Sequence, residues 1–437
     1  MVNSIQEQLL RQGLNEKALW NGHSGEHFYK IKTKALKEFS SIGLPGSGME
    51  EWKYTNLKQF IKNTEYQIEY HGQDFIIKPK HLIDEKYNLL VLVNGKYSKS
   101  LSNIKEQRNR MYLGGFEDQW SEYEILFEKY YGRSVNFLAN PMYALNTAIA
   151  KDGVFMVIPD GVILNNPIHI LNINTGQKNA SFTQSRNLII VGKNSQVNIV
   201  ESYISADQNI NFNNNACEIY VDEYAIFNYY KLQDISSKNI LVDTTHVSQE
   251  RSSVCDFYTF SSGGQMIRND LNISLNDEYC ETNMYGLSLA KNNEHIDHHT
   301  LIDHLYPNCN SNELYKGIYN DRARGVFNGK VYVRQDAQNT NAFQSNPNLL
   351  LSESARIDTK PQLEIYADDV KCSHGASVGQ IDDESVFYMR SRGIDVLTAR
   401  GILTNAFASE VIDSVKLDPL KESLRKKALT FFNLDPA

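Results

Sequence analysis

Apolar residues are spaced in two ways along this chain, and the change of spacing marks out three regions. Near the start the period is helical. Ile5, Leu9, Leu10 and Leu14 predict a helix over Ser4 to Trp20, and a second is expected around Tyr29 to Phe39, stopped by the loop Gly43-Leu44-Pro45-Gly46-Ser47-Gly48. A strand-like run, Leu89 to Val93, precedes an Asn94-Gly95 hairpin signal. Helices are expected again at Ser121 to Tyr131 and at Val135 to Ala150. From about 152 to 370 the period becomes two. Val154 to Ile158, Ile168 to Leu171, Asn187 to Val191, Cys217 to Val221 and Ala225 to Tyr230 read as short strands. Beyond about 380 the helical period returns. Asp382 or Asp383 can cap a helix through Phe387, Tyr388 and Met389 that Gly393 stops. A longer helix from about Asp395 carries a stripe of Leu403, Phe407, Val411 and Val415. Asp418-Pro419 predicts a last helix with the aspartate as N-cap and Leu420, Leu424, Ala428 and Phe431 on its apolar face. These two stripes either pack on each other or offer a docking face.

The middle region carries a faint repeat. A polar corner, a small residue and an apolar residue recur at Asn194 to Val197, Asp222 to Ile226, Glu250 to Val254 and Ser352 to Ile357. The first three corners are roughly 28 residues apart, within the range of stacked-repeat architectures. This rhythm fits a β-solenoid, in which each coil stacks on the last, and an antiparallel sandwich is the alternative.

Composition narrows the function classes. At 437 residues the chain is too long for one average domain. The regions are taken as 1–150, mostly helical, 151–380, the β core, and 381–437, helical. A net charge of −8 without a long basic run argues against nucleic-acid binding. The N-terminus lacks a basic start followed by an apolar stretch, and no window approaches a membrane span, so a cytoplasmic protein is expected. The five cysteines, Cys217, Cys255, Cys280, Cys309 and Cys372, form no C-x-x-C pair and no disulfide framework. Gly95-Lys96, Gly192-Lys193 and Gly329-Lys330 all lack the rest of a phosphate-binding loop, and no G-x-S-x-G elbow is present.

Two groups of residues could carry chemistry. His295, Asp297, His298 and His299, with His304 and Cys309 nearby, combine imidazole and carboxylate, which can bind a transition metal. On a strand, His295, Asp297 and His299 share one face and His298 the other. The alternative is a polar strand face of hydrogen-bonded histidines. Cys372 and His374, in Asp368 to Gly375, would share a strand face and offer soft and borderline ligands for iron or sulfur chemistry. A free cysteine is otherwise a small hydrophobe.

The stretch Lys360 to Gln380, reading KPQLEIYADDVKCSHGASVGQ, closely resembles the signature of the SufD family, and Phe387 to Ile394 continues it. Glu51-Trp52-Lys53-Tyr54-Thr55, Phe137-Leu138 through Leu145-Asn146, Asp152-Gly153, Gly263-Gly264 with Arg268, and Gly325 to Val331 fit the same family. The related SufB proteins typically carry Glu-His-Glu-Ala where this chain has Cys372 to Ala376, so the ligand-type residues of SufB have no clear counterparts here.

The resemblance implies a mainly β protein with a right-handed parallel β-helix core between N- and C-terminal helical regions. It implies a non-catalytic scaffold subunit for iron–sulfur cluster assembly that pairs with SufB through the β-helices and binds the ATPase SufC through its C-terminal helices. The missing phosphate loop then has a reason, since the ATPase is a partner. His374 matches the histidine that the family places at the SufB interface, where the nascent iron–sulfur cluster is thought to form, and Cys372 matches the neighbouring cysteine. No cofactor is expected to stay on this chain alone. Without SufB, an unpaired β-helix edge is expected to form a homodimer. The competing readings are a β-helix carbohydrate-active enzyme using carboxylates such as Asp297 and Asp303, and a purely structural SufB partner with no ligand of its own.

Overall fold

The computed structural model describes residues 2–19, 26–62, 64–68, 75–108, 110–116, 122–133, 140–175 and 180–432. Its centre is a β-solenoid of about eight turns, flanked by helices at both ends of the chain. Successive strands alternate between two sheets. One sheet takes Val154–Ile158, Arg186–Val191, Asn211–Val221, Ile240–Gln249, Met266–Leu275, His295–His304, Arg324–Val333 and Arg356–Ile365. The other takes Ile168–Asn174, Gln196–Ser205, Ile226–Ile235, Val254–Gly263, Glu281–Ala290, Asn310–Tyr319, Thr340–Leu350 and Val370–Gly379.

Within each of these runs every neighbouring pair is parallel, as in Ile226↔Val254 and Glu281↔Asn310. That register decides for the solenoid over the antiparallel sandwich. Residues that stack from coil to coil lie 26 to 33 apart in sequence, close to the faint repeat.

Alternate residues of each strand point into the coil, and this fixes the core. Ile199, Phe227, Tyr229, Phe257, Met284, Ile302 and Val331 fill the interior and are buried. The stack also buries polar groups. Lys231 meets Asp243 and donates to Thr245 Oγ1 at 2.9 Å, and Tyr203 OH donates to Asp243 at 2.7 Å. Period-two patterning alone does not separate such charged interior positions from solvent-facing ones.

One recurring corner explains the repeat. Asn194, Tyr224 and Ser252 each adopt positive φ, between +54° and +59°, and each is followed by a small buried residue, Ser195, Ala225 or Ser253. The same corner recurs at Tyr279-Cys280, Asn308-Cys309 and Asn339-Thr340. Ser352 to Ile357 is a different corner. It leads into Arg356–Ile365 in the opposite sheet and stacks on Ala323.

The N-terminal region holds helices α1 (Val2–Leu19), α2 (Glu26–Ile42), α3 (Leu57–Phe60), α4 (Glu124–Tyr130) and α5 (Pro141–Ile149). The expected helix over Val135 to Ala150 therefore starts later in the described chain. Pro141 takes its first turn and the Asn140 side chain accepts from Met142 N and Tyr143 N. Residues 135–139, with Phe137 and Leu138, lie outside the described residues, as do Trp20 and Ser121. Leu9, Phe39, Trp52, Tyr143 and Leu145 pack on Phe182, Phe212, Val242 and Met266 of one sheet. The Asn94-Gly95 hairpin forms, with φ of +51° and +80°, and pairs Val93 with Lys96. Its first strand, Asn88–Val93, adds in parallel to Ile168–Asn174.

At the other end follow α6 (Asp383–Ser391), α7 (Val396–Asp413) and α8 (Asp418–Phe431). Asp382 and Asp395 cap α6 and α7 through side-chain oxygens, and Gly393 sits at φ +86° between them. In α8 the cap falls one residue earlier than expected. Leu417 is the N-cap and Asp418 is already helical, where its charge faces the positive end of the helix dipole. The stripes of α7 and α8 pack on each other and on the solenoid. Val411, Val415, Leu420, Leu424 and Ala428 share a cluster with Tyr230, Tyr258, Leu287 and Ile318.

Candidate functional site

The last coil is built from Arg356–Ile365 and Val370–Gly379, and each strand ends the order of its sheet. Among the described residues nothing pairs with their far edges, which therefore present free backbone donors and acceptors. Cys372 and His374 both lie on Val370–Gly379 and differ in environment. Cys372 is half-buried against the interior cluster, and burial pushes its thiol up. His374 is exposed, like every residue from Ser373 to Gly379.

Register places His374 on Gln344, and Gln344 on Glu313. Both supporting residues are buried, and Gln344 Nε2 donates to Glu313 Oε2 at 2.6 Å. Burial raises the Glu313 carboxyl to about 7. Gln344 Oε1 has no partner. Farther down the same column stand Met284 and Phe257. An apolar interior stack thus turns polar over its last three positions and ends on the exposed imidazole. Sequence reasoning missed Glu313 and Gln344. Their signal was a carboxylate and an amide at apolar-phase positions of two consecutive strands.

The histidine cluster does a different job. His295, Asp297 and His299 face the N-terminal segment Glu51-Trp52-Lys53-Tyr54-Thr55. Thr55 Oγ1 bonds His295 Nε2 at 2.8 Å and donates to Asp297. Asp297 also receives Arg268 Nη1 at 2.9 Å, and His299 bridges Asp297 and Glu51 at 3.1 and 3.3 Å. The Arg268 guanidinium sits 3.8 Å from the Trp52 ring centroid. Burial alone would raise the Asp297 carboxyl, but His299 and Arg268 hold it well below the usual range. His298 points the other way, toward Ser288 Oγ at 3.0 Å and Asn269. The hydrogen-bonded alternative describes these side chains, and among the described residues no His, Cys, Asp or Glu cluster is arranged to hold a metal ion. Asp303 is paired with Arg334 at 2.8 Å, so Asp297 and Asp303 form no convergent carboxylate pair.

The start of the C-terminal helices exposes an apolar patch. Phe387 and Tyr388 of α6 and Leu397 of α7 are 72%, 58% and 77% exposed. Phe387 and Tyr388 line an open depression with Asp382, Glu384, Met389 and Leu403. Among the described residues, no helix is long and apolar enough to cross a membrane.

Residues 172–407 match the family model for the SufBD core domain of SUF system FeS cluster assembly, and residues 3–170 match that for the SufBD N-terminal region. An iron–sulfur cluster assembly SufBD family protein of Synechocystis is 31% identical over 430 residues, covering 95% of this chain and 93% of the relative. The iron–sulfur cluster assembly protein SufD of Escherichia coli is 30% identical over 398 residues, 89% of each chain. That of Bacillus subtilis is 25% identical over 406 residues, 90% of this chain and 91% of the relative.

Proposed function

The chain belongs to the SufBD family of iron–sulfur cluster assembly proteins, and from that premise we propose that it is a non-catalytic scaffold subunit of the SufD type, acting with SufB and the ATPase SufC. The observation that carries this reading is the open last coil. Two ten-residue strands with free edges end the solenoid, and Cys372 and His374 lie on one of them. Such edges pair readily with another chain by strand addition. A SufB solenoid joined there would cover His374 and turn an exposed imidazole into a buried ligand candidate at the joint. The nascent cluster is then cargo of the joint, held by neither chain alone.

His374 offers a borderline nitrogen and Cys372 a soft sulfur, a donor set suited to iron and sulfide. The polar column beneath them supports the same reading. Gln344 and Glu313, bonded to each other, continue the column of His374 with polar groups, and Glu313, with its carboxyl near 7, can take or release a proton as ligands change state. Region 381–437 is the proposed SufC-binding part. Its exposed Phe387, Tyr388 and Leu397 are apolar and follow the last coil in sequence. ATP-driven closure of SufC would move these helices and shift the joint between closed and open states.

The test is His374→Ala in the co-expressed complex. The expected result is an intact assembly whose bound iron and sulfide fall several-fold. Wild-type cluster yield would leave the chain as a purely structural partner.

A further inference from the structure

Two buried cysteines away from the last coil form a site of their own. Cys280 and Cys309 occupy the corner position in consecutive coils, each just before paired strands in which Glu281 faces Asn310. The rung continues through them, since Asn310 N donates to Cys280 O at 2.9 Å. At other corners of this column the residue is Ser195, Ala225, Ser253 or Thr340. Ser195, Ser253 and Thr340 bond the carbonyl three residues back, which closes the turn. Cys280 does the same, with Sγ 3.2 Å from Asp277 O, and also reaches down one coil to Glu250 O at 3.3 Å. Cys309 does not. Its Sγ reaches down one coil to the same Asp277 oxygen, at 3.3 Å. The two sulfurs thus converge on one acceptor. A serine serves the corner equally well, so the turn itself does not need thiols.

A third group completes the site. His304 is fully buried at the end of its strand, its Nε2 bonds Ser311 Oγ at 2.9 Å, and its Nδ1 has no hydrogen-bond partner among the described residues. The Cys280 thiol and the His304 imidazole together pull the Cys309 thiol down to about 5, while the contact with Cys309 pushes the Cys280 thiol up. The turn Asp277 to Tyr279 supplies their shared acceptor. Tyr279 holds φ +64°, an uncommon conformation for a bulky side chain. Neighbouring strands lie about 4.8 Å apart, within the Cα separation that a disulfide spans.

We propose that Cys280 and Cys309 are a redox-responsive dithiol that a hydroperoxide closes into a disulfide between consecutive coils. The Cys309 thiolate attacks one peroxide oxygen. The O–O bond breaks, the leaving oxygen takes up a proton and departs as water, and Cys309 becomes a sulfenic acid. Cys280 then attacks that sulfur and gives up its proton. The S–S bond forms, the S–O bond breaks, and a second water leaves. Two thiols lose two electrons and two protons in all, and one peroxide is reduced to two waters. His304 is a positioning residue that favours the thiolate of Cys309.

The experiment treats the reduced full-length protein with hydrogen peroxide, then counts thiols after denaturation and maps unreduced peptides by mass. The expected result is loss of two of the five thiols in one Cys280–Cys309 peptide pair, with the circular dichroism spectrum unchanged. Cys280→Ser should stop at a dimedone-reactive sulfenic acid on Cys309, and Cys309→Ser should resist oxidation at both positions. Serine already fills this corner twice, so both variants should fold. The rate should be nearly flat from pH 6 to 8, whereas an ordinary thiol gains about tenfold per pH unit there, and His304→Gln should steepen the profile. Five intact thiols, oxidation of Cys372 alone, pairing only in denaturant, or a steep wild-type pH profile would overturn the proposal.

Discussion

Three buried histidines and one half-buried, His246, make this protein sensitive to mild acid. Burial lowers His169, His295 and His298 to about 4 and His246 to about 3. In the unfolded chain each returns to an ordinary value near 6.5. The unfolded state therefore takes up protons first, so stability present above pH 6.5 is lost as pH falls toward 4. Each group adds at most about 1.4 kcal/mol per pH unit to the slope. A urea midpoint that drops steadily between pH 6.5 and 4 is the expected result. Glu313 works in the opposite sense. Its folded value, about 7, lies above the unfolded one, so its stability is present below about 4.5 and lost as pH rises through 7. Glu313→Gln should thus match the wild type at pH 5 and exceed it at pH 8, by on the order of 3 kcal/mol. Asp297 has a structural weight of its own. Asp297→Ala would leave Arg268 buried without one of its carboxylates, and a loss of about 3–5 kcal/mol in denaturant titration is expected.

At the level of elements, the C-terminal helices are held by apolar burial against the solenoid. Leu420→Ala removes a fully buried side chain from the shared cluster and should cost about 2–5 kcal/mol. Limited proteolysis near residue 416 would report the loosening. The same helices illustrate what was legible beforehand. Caps at Asp382 and Asp395, the stop at Gly393 and the hairpin at Asn94-Gly95 follow from local chemistry, which sequence carries directly. The strand pattern and the signature around Cys372 and His374 were readable for the same reason. The cap of α8 was off by one because an aspartate serves equally well in the first turn. Half of the corner column went unnoticed because Tyr279-Cys280, Asn308-Cys309 and Asn339-Thr340 share a backbone conformation more than a composition. The Glu313–Gln344–His374 column was invisible because it is made by stacking across coils, between residues about 30 positions apart.

For the whole molecule, the solenoid is the body on which both flanks pack. Its N-terminal flank is locked by the Glu51 to Thr55 segment through Arg268 and Asp297, and its C-terminal helices rest on the opposite sheet. Among the described residues the last coil ends both sheets with ten-residue strands, whereas their other ends are the short strands Tyr112–Gly115 and Lys96–Tyr97. A chain with a fixed body and one open end suits a subunit that completes its site by joining another. The direct measurement is anaerobic co-expression with SufB and SufC of the same organism, followed by native mass and by iron and sulfide analysis. The account predicts an assembly of one copy of this chain, one SufB and two SufC, carrying iron and sulfide only when SufB is present. Failure of this chain to associate with either protein would contradict it.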